Sequence, residues 1–165
     1  MALHEEILEQ PAVIRRLLAG QRGQVEQAAG LIASRKPRYA LLAARGTSDN
    51  AGRYAGYLWG AFNRLTTALA LPSLFTYYQK PPDLAGAVVV GISQSGQSPD
   101  IVSVLEEGRQ QGAATIAITN QPDSPLAGAA DVVIDLMAGE EKAVAATKTY
   151  TAELAAVAML SAALD

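Results

Sequence analysis

Short apolar runs, each closed by a turn and followed by a stretch of helical spacing or a loop, recur along most of this 165-residue chain. RYALLAAR (38–45, after Pro37), TTALALP (66–72), AGAVVVGI (85–92), ATIAITN (114–120) and DVVIDL (131–136) each suit a buried strand. Between them, TSDNAGRYAGYLWGAF (47–62) reads as a helix opening on Thr47 or Ser48 as its cap, and Ser98 to Gly112 as a helix stopped by Gly112. SPLAGAA (124–130) permits one or two helical turns, PSLFTYYQK is mixed, and a last helix is expected from about Thr147 to Leu164. Two further helices come first. Ile7, Leu8, Ile14, Leu17 and Leu18 define one, and Val25, Ala28, Ala29, Leu31 and Ile32 the other, after the Gly20–Gly23 break. Strands alternating with helices predict an α/β fold with a mostly parallel sheet and right-handed crossovers.

The length suits a single domain, and no linker, low-complexity tract or charged block divides it. Half of the residues are hydrophobic and 18% are charged, which supports a packed core over disorder. With a net charge of −3 and scattered lysines and arginines, there is no basic footprint for nucleic acid. Cysteine is absent, and His4 is the only histidine, a surface residue near a terminus. This composition offers neither a thiolate nor a multi-histidine metal site, and no metal or other cofactor is expected. The N-terminal MALHEEILEQP carries acids where a signal peptide carries basic residues, and the longest apolar stretch, 154–164, is too short for a bilayer. A cytoplasmic protein with no membrane partner is expected.

In a parallel sheet, ligands bind beyond the carboxyl ends of the strands, where strand order reverses. GTS (46–48) and SQSGQS (93–98) both sit at such ends, and ARGTS and ISQSG weakly echo one another. If the order is 2-1-3-4-5, the two loops face each other across the switch point. Helix N-termini present unpaired N–H groups and about half a unit of positive charge, and hydroxyls there add donors without bulk. Gly96 can supply positive φ or let the backbone approach an anion. A phosphate monoester on a small polar molecule fits best. The alternative is that Ser93, Ser95 and Ser98 only cap a helix and satisfy a turn. Nucleotide binding is disfavoured, because neither GxxxxGK[ST] nor a GxGxxG after a strand is present.

EEKAVAATK (140–148) gathers Glu140, Glu141, Lys142 and Lys148 near a helix start. A carboxylate there could move a proton between carbon and oxygen, and Glu141 is the one nominated as catalytic. Lys148 could pair with a substrate oxygen or with a loop carboxylate. The same run could equally be a solvated loop, with Thr147 a simple cap.

The segments EEILEQPAVI (5–14), ARGTSDNAG (44–52), ISQSGQSPD (92–100), AITN (117–120) and VAATKTYTAELA (144–155) together resemble the sugar isomerase (SIS) domain family. Within it, they are similar to the first of the two SIS domains of glucosamine-fructose-6-phosphate aminotransferase and related aminosugar isomerases and deaminases. The resemblance implies a three-layer αβα, flavodoxin-like sheet of five parallel strands and a site for a hexose or aminohexose 6-phosphate. It assigns Thr47, Ser48, Ser93, Gln94, Ser95 and Ser98 to the phosphate, and Val144, Ala146 and Lys148 to the lining of the sugar site. Asp49-Asn50 stand where the aminotransferase usually has an aromatic residue and a histidine, Ser98 where threonine is common, and Ala146 where serine is usual.

In the relatives a second SIS domain supplies the base, the ring-opening histidine and a C-terminal lysine. The resemblance therefore implies one half of a tandem-SIS protein, binding sugar phosphate with weak or absent turnover alone. A stand-alone sensor or structural module, and a single-domain isomerase completed across a dimer, are the other readings. TAELAAVAMLSAAL is apolar on more than one face, so one face is expected on the sheet. The other, with Leu154, Met159 and Leu160, is expected against a second half or subunit, giving a homodimer through the C-terminal helix region.

Overall fold

The computed structural model describes residues 2–165. Its elements run α1 (Ala2–Gly20), α2 (Arg22–Arg35), β1 (Tyr39–Ala44), α3 (Thr47–Asn63), β2 (Thr67–Leu69), α4 (Ser73–Thr76), β3 (Ala87–Ser93), α5 (Pro99–Gln110), β4 (Ala114–Thr119), α6 (Pro125–Gly128), β5 (Val132–Asp135) and α7 (Lys148–Ala163). All pairings are parallel, as the alternating pattern predicts, and the order is the flavodoxin-like β2-β1-β3-β4-β5 that the family resemblance implies.

Every residue of β3 and β4 is buried, which explains why their sequences are continuous apolar runs: a central parallel strand is covered on both faces. Successive residues divide between two cores. Ala40, Leu42, Val88, Val90, Ile92, Ile116 and Ile118 face α1, α2, α3 and α7. Leu41, Ala43, Val89 and Ala117 face α5 and α6, meeting Ile101, Leu105 and Leu126. The layers are thus helices, sheet, helices. β2 is the exception; as an edge strand it pairs only over Thr67–Leu69 and stays largely exposed.

α7 departs from the sequence expectation. Its second apolar face is covered within the chain, by α1, α2 and α3. Leu160 is fully buried, and Leu154 and Met159 are partly buried against the same core. Ala51 and Ala55 of α3 and Ala152 and Ala156 of α7 are fully buried in this core. Polar bonds join α3 to α7 as well: Trp59 Nε1 donates to the carbonyl of Val157 at 3.2 Å, and Ser161 Oγ donates to Asn63 Oδ1 at 2.7 Å. Among the described residues no helix is long and apolar enough to cross a membrane.

Candidate functional site

The connection after β1 leads to α3 on one face of the sheet, and that after β3 leads to α5 on the other. Because Ala44 lies beside Ile92, the loops that follow are neighbours at the carboxyl edge. This is the switch point at which α/β sheets open a crevice.

In the first loop the cap of α3 is Gly46, not Thr47 or Ser48. Its φ of 55° and ψ of −128° lie in a region open essentially to glycine, so the chain turns into the helix one residue earlier than hydroxyl capping predicts. Thr47 and Ser48 become the first helical residues, and neither hydroxyl caps the helix. Thr47 is exposed; Ser48 is buried and donates to Glu153 Oε1 at 2.7 Å.

The second loop is built on its own backbone. Ser93 Oγ accepts the Gly96 N–H at 3.1 Å, and Ser95 Oγ accepts the Gln97 N–H at 3.3 Å. A hydroxyl that accepts still has its proton to donate, so both remain donors toward a ligand. The Gln94 carbonyl accepts the Asn120 N–H at 3.2 Å, tying the loop to the end of β4. Ser98 is the N-cap residue of α5, as expected, but its hydroxyl makes no capping bond. Gly96 has φ +62° and lies so close to Ser124 that a Cβ would sit 2.1 Å from its Oγ. Arg45 Nη1 and Asp100 Oδ2, 3.0 Å apart, bridge the two loops, while Asp100 Oδ1 is buried without a partner.

The third segment, 137–147, is held by side chains from distant elements. Asn120 takes the Ala138 N–H and donates to the Gly139 carbonyl, and Glu6 of α1 accepts the amides of Lys142 and Ala143. Glu141 accepts from the amide and hydroxyl of Thr147 and from the amide and hydroxyl of Thr149. It thereby caps α7 in place of the Thr147 side chain, which makes no capping bond. Burial alone would raise the Glu141 pKa, but these hydrogen bonds outweigh it and hold the carboxyl below its ordinary value. Lys148 is 3% exposed and its Nζ lies 2.7 Å from Glu9 of α1. Val144 is fully exposed and Ala146 half-buried.

Glu153 is the functional candidate that sequence reasoning missed. It is 1% exposed, and its Oε2 has no hydrogen-bond partner. Burial pushes its pKa up to about 7; the Ser48 hydrogen bond opposes that rise and the negative field of Glu141 adds to it. A signal was present. Glu153 shares the helical stripe of Thr149, Val157 and Leu160, all buried, so an acid stood among core positions. Among the described residues, no group of three or more His, Cys, Asp or Glu side chains is placed to hold a metal ion.

Residues 34–163 match the SIS domain family. The chain is 35% identical over 161 residues to the glutamine–fructose-6-phosphate aminotransferase (isomerizing) of Thermus thermophilus, a match covering 95% of this chain and 26% of that protein. The Gloeobacter violaceus aminotransferase is 36% identical, with the same coverage. Among solved structures, a candidate phosphosugar isomerase from Silicibacter pomeroyi superposes with a TM-score of 0.93 at 37% identity, over 97% of this chain and 49% of that one. The C-terminal domain of glucosamine-fructose-6-phosphate aminotransferase from Francisella tularensis gives 0.84 at 29% identity, over 99% and 47%. The chain thus spans about a quarter of the length of the curated relatives and about half that of these solved chains. With the family match over most of its length and the sheet order observed, the chain belongs to the SIS domain family.

Proposed function

We propose that the chain binds a hexose or aminohexose 6-phosphate, and that it forms the phosphate-holding half of an isomerase or aminotransferase site. The observation that carries this reading is the pair of hydroxyl loops on adjacent strands, each leading into a helix N-terminus. Thr47, Ser93, Ser95 and Ser98 supply hydroxyl donors there, Ser48 a hydroxyl whose proton is engaged by Glu153, Gln94 an amide, and the first turns of α3 and α5 supply free N–H groups and positive partial charge. The named activities of the aminotransferase relatives favour a sugar phosphate over other phosphate esters.

A ketose–aldose exchange needs a base whose pKa lies near working pH. Glu141 is engaged by four donors and held low, so its role is to fix the segment 142–147 rather than to carry the substrate proton. Lys148, neutralised by Glu9, ties the start of α7 to α1, and Val144 and Ala146, in the segment just before it, would line the sugar side of the site. The proton-transferring groups then come from a second SIS unit, in a longer polypeptide or in a second copy of the chain. The isolated chain binds sugar phosphate and turns it over weakly or not at all.

Calorimetric titration with glucosamine 6-phosphate and fructose 6-phosphate tests the reading. Ser93→Ala/Ser95→Ala is expected to weaken binding by about tenfold or more, since each lost hydrogen bond is one to a charged ligand. Unchanged affinity in the double variant would overturn it.

A further inference from the structure

Ser48 has one hydroxyl proton, and here that proton points away from the loop, toward Glu153 Oε1 at 2.7 Å. A hydroxyl donating inward shows only lone pairs to the crevice, the wrong face for an anion. Resting on the phosphate-site reading above, we infer that Glu153 is a positioning residue whose carboxylate takes up a proton when an anion binds at Thr47-Ser48. Protonated Glu153 donates to Ser48 Oγ, the hydrogen bond reverses, and the Ser48 proton turns outward to the ligand.

The balance is simple: the carboxylate gains one proton from solvent, no heavy-atom bond changes, and one negative charge is removed as the anion arrives. The geometry supports the exchange from the other side too. Glu153 Oε2 is buried and has no partner, so the Ser48 bond to Oε1 is the ionised carboxylate's one hydrogen bond among the described residues, fewer than a buried charge normally needs. With burial already raising its pKa to about 7, protonation near neutral pH is inexpensive, and a nearby phosphate dianion pushes in the same direction.

The charged groups packed around this point do not neutralise it. Glu141 of the third segment adds a like-signed field. Lys148, on the same helix, is paired with Glu9 of α1; Glu6 of α1 holds loop amides; and Asp49 of α3 is paired with Arg53 on the exposed side. Glu153 therefore carries an unneutralised buried charge when ionised.

The test is calorimetry of the 165-residue chain with glucosamine 6-phosphate and with inorganic phosphate, from pH 6.5 to 8.5, in buffers of different ionisation enthalpy. Above pH 7 the wild-type affinity is expected to fall by up to about tenfold per pH unit, with net proton uptake beyond that of the ligand itself. Glu153→Gln, whose amide N–H can donate to Ser48 at every pH, is expected to lose both the slope and the extra proton. Ser48→Ala, which removes the transmitting hydroxyl, should bind more weakly and also lose the slope. Binding with the wild-type slope and uptake in both variants would overturn the inference while leaving the phosphate site standing. Absence of binding to either ligand in all three proteins at every pH would overturn the site reading and this inference with it.

Discussion

The two hydroxyl loops lie side by side at the ends of neighbouring strands, yet they are held by different means. The second loop is fixed locally: Ser93 and Ser95 accept amides within three residues, and Gly96 is wedged against Ser124. The first loop is fixed at long range, with Ser48 secured by a carboxyl 105 residues later in the chain. A loop closed on its own backbone is rigid but indifferent to pH. A loop secured through a titratable buried group responds to it.

The largest effect that would break this contrast lies in the second loop. Gly96→Ala places a Cβ into Ser124 and a side chain at φ +62°, and is expected to destabilise the fold by about 3 kcal/mol or more, combining overpacking with backbone strain. Gly46→Ala meets no atom within 4 Å, so only its strained backbone counts, at about 1–3 kcal/mol. Thermal and urea unfolding should rank them in that order; equal losses would mean that the Ser124 contact is not what confines the second loop.

Next comes pH. The folded-state pKa of Glu153 lies near 7, above its ordinary 4.5, so between those values the native state binds more protons than the unfolded chain. The stability linked to this group is fully present below about pH 4.5 and is lost as pH rises through 7, on the order of 3 kcal/mol in all. Glu153→Gln is expected to raise the unfolding midpoint at pH 8 and to flatten the profile between pH 5 and 8. An unaltered profile would show that Glu153 titrates normally. The smallest effect is at the bridge between the loops. Arg45→Ala removes an ion pair whose arginine is mostly exposed, and is expected to cost less than about 1 kcal/mol and to weaken further as salt is raised. A larger loss would mean that the two loops depend on each other mechanically.

The strands were legible because burial on both faces leaves uninterrupted apolar runs such as Ala87–Ser93, and their parallel pairing because they alternate with helices; their order came only with the family resemblance. The cap of α3 lies at Gly46, ahead of the hydroxyls that normally cap a helix start, and nothing local in the sequence announces the positive φ there. The excess apolar surface of α7 was legible as surface to be covered; the cover itself, α1 and α2 folding back from the other end of the chain, was not. The hydroxyl residues of the candidate site were legible because their positions recur at two strand ends. Glu153 was not legible because its meaning lies in a partner on α3, and a single acid in an alanine-rich helix carries no mark of its own beyond its place on the buried stripe.

The anchoring of the third segment by Glu6 and of the start of α7 by Glu9 has a consequence for how the molecule is made. Their partners at Lys142 and Lys148 follow 136 and 139 residues later, so during synthesis the first helix leaves the ribosome long before anything exists for its carboxylates to hold. Such distant closures are slow to form, and the segment they secure is set only once nearly the whole chain has emerged. A nascent chain arrested after β5 would already carry the sequences of all five strands and both hydroxyl loops, but not the finished approach to them.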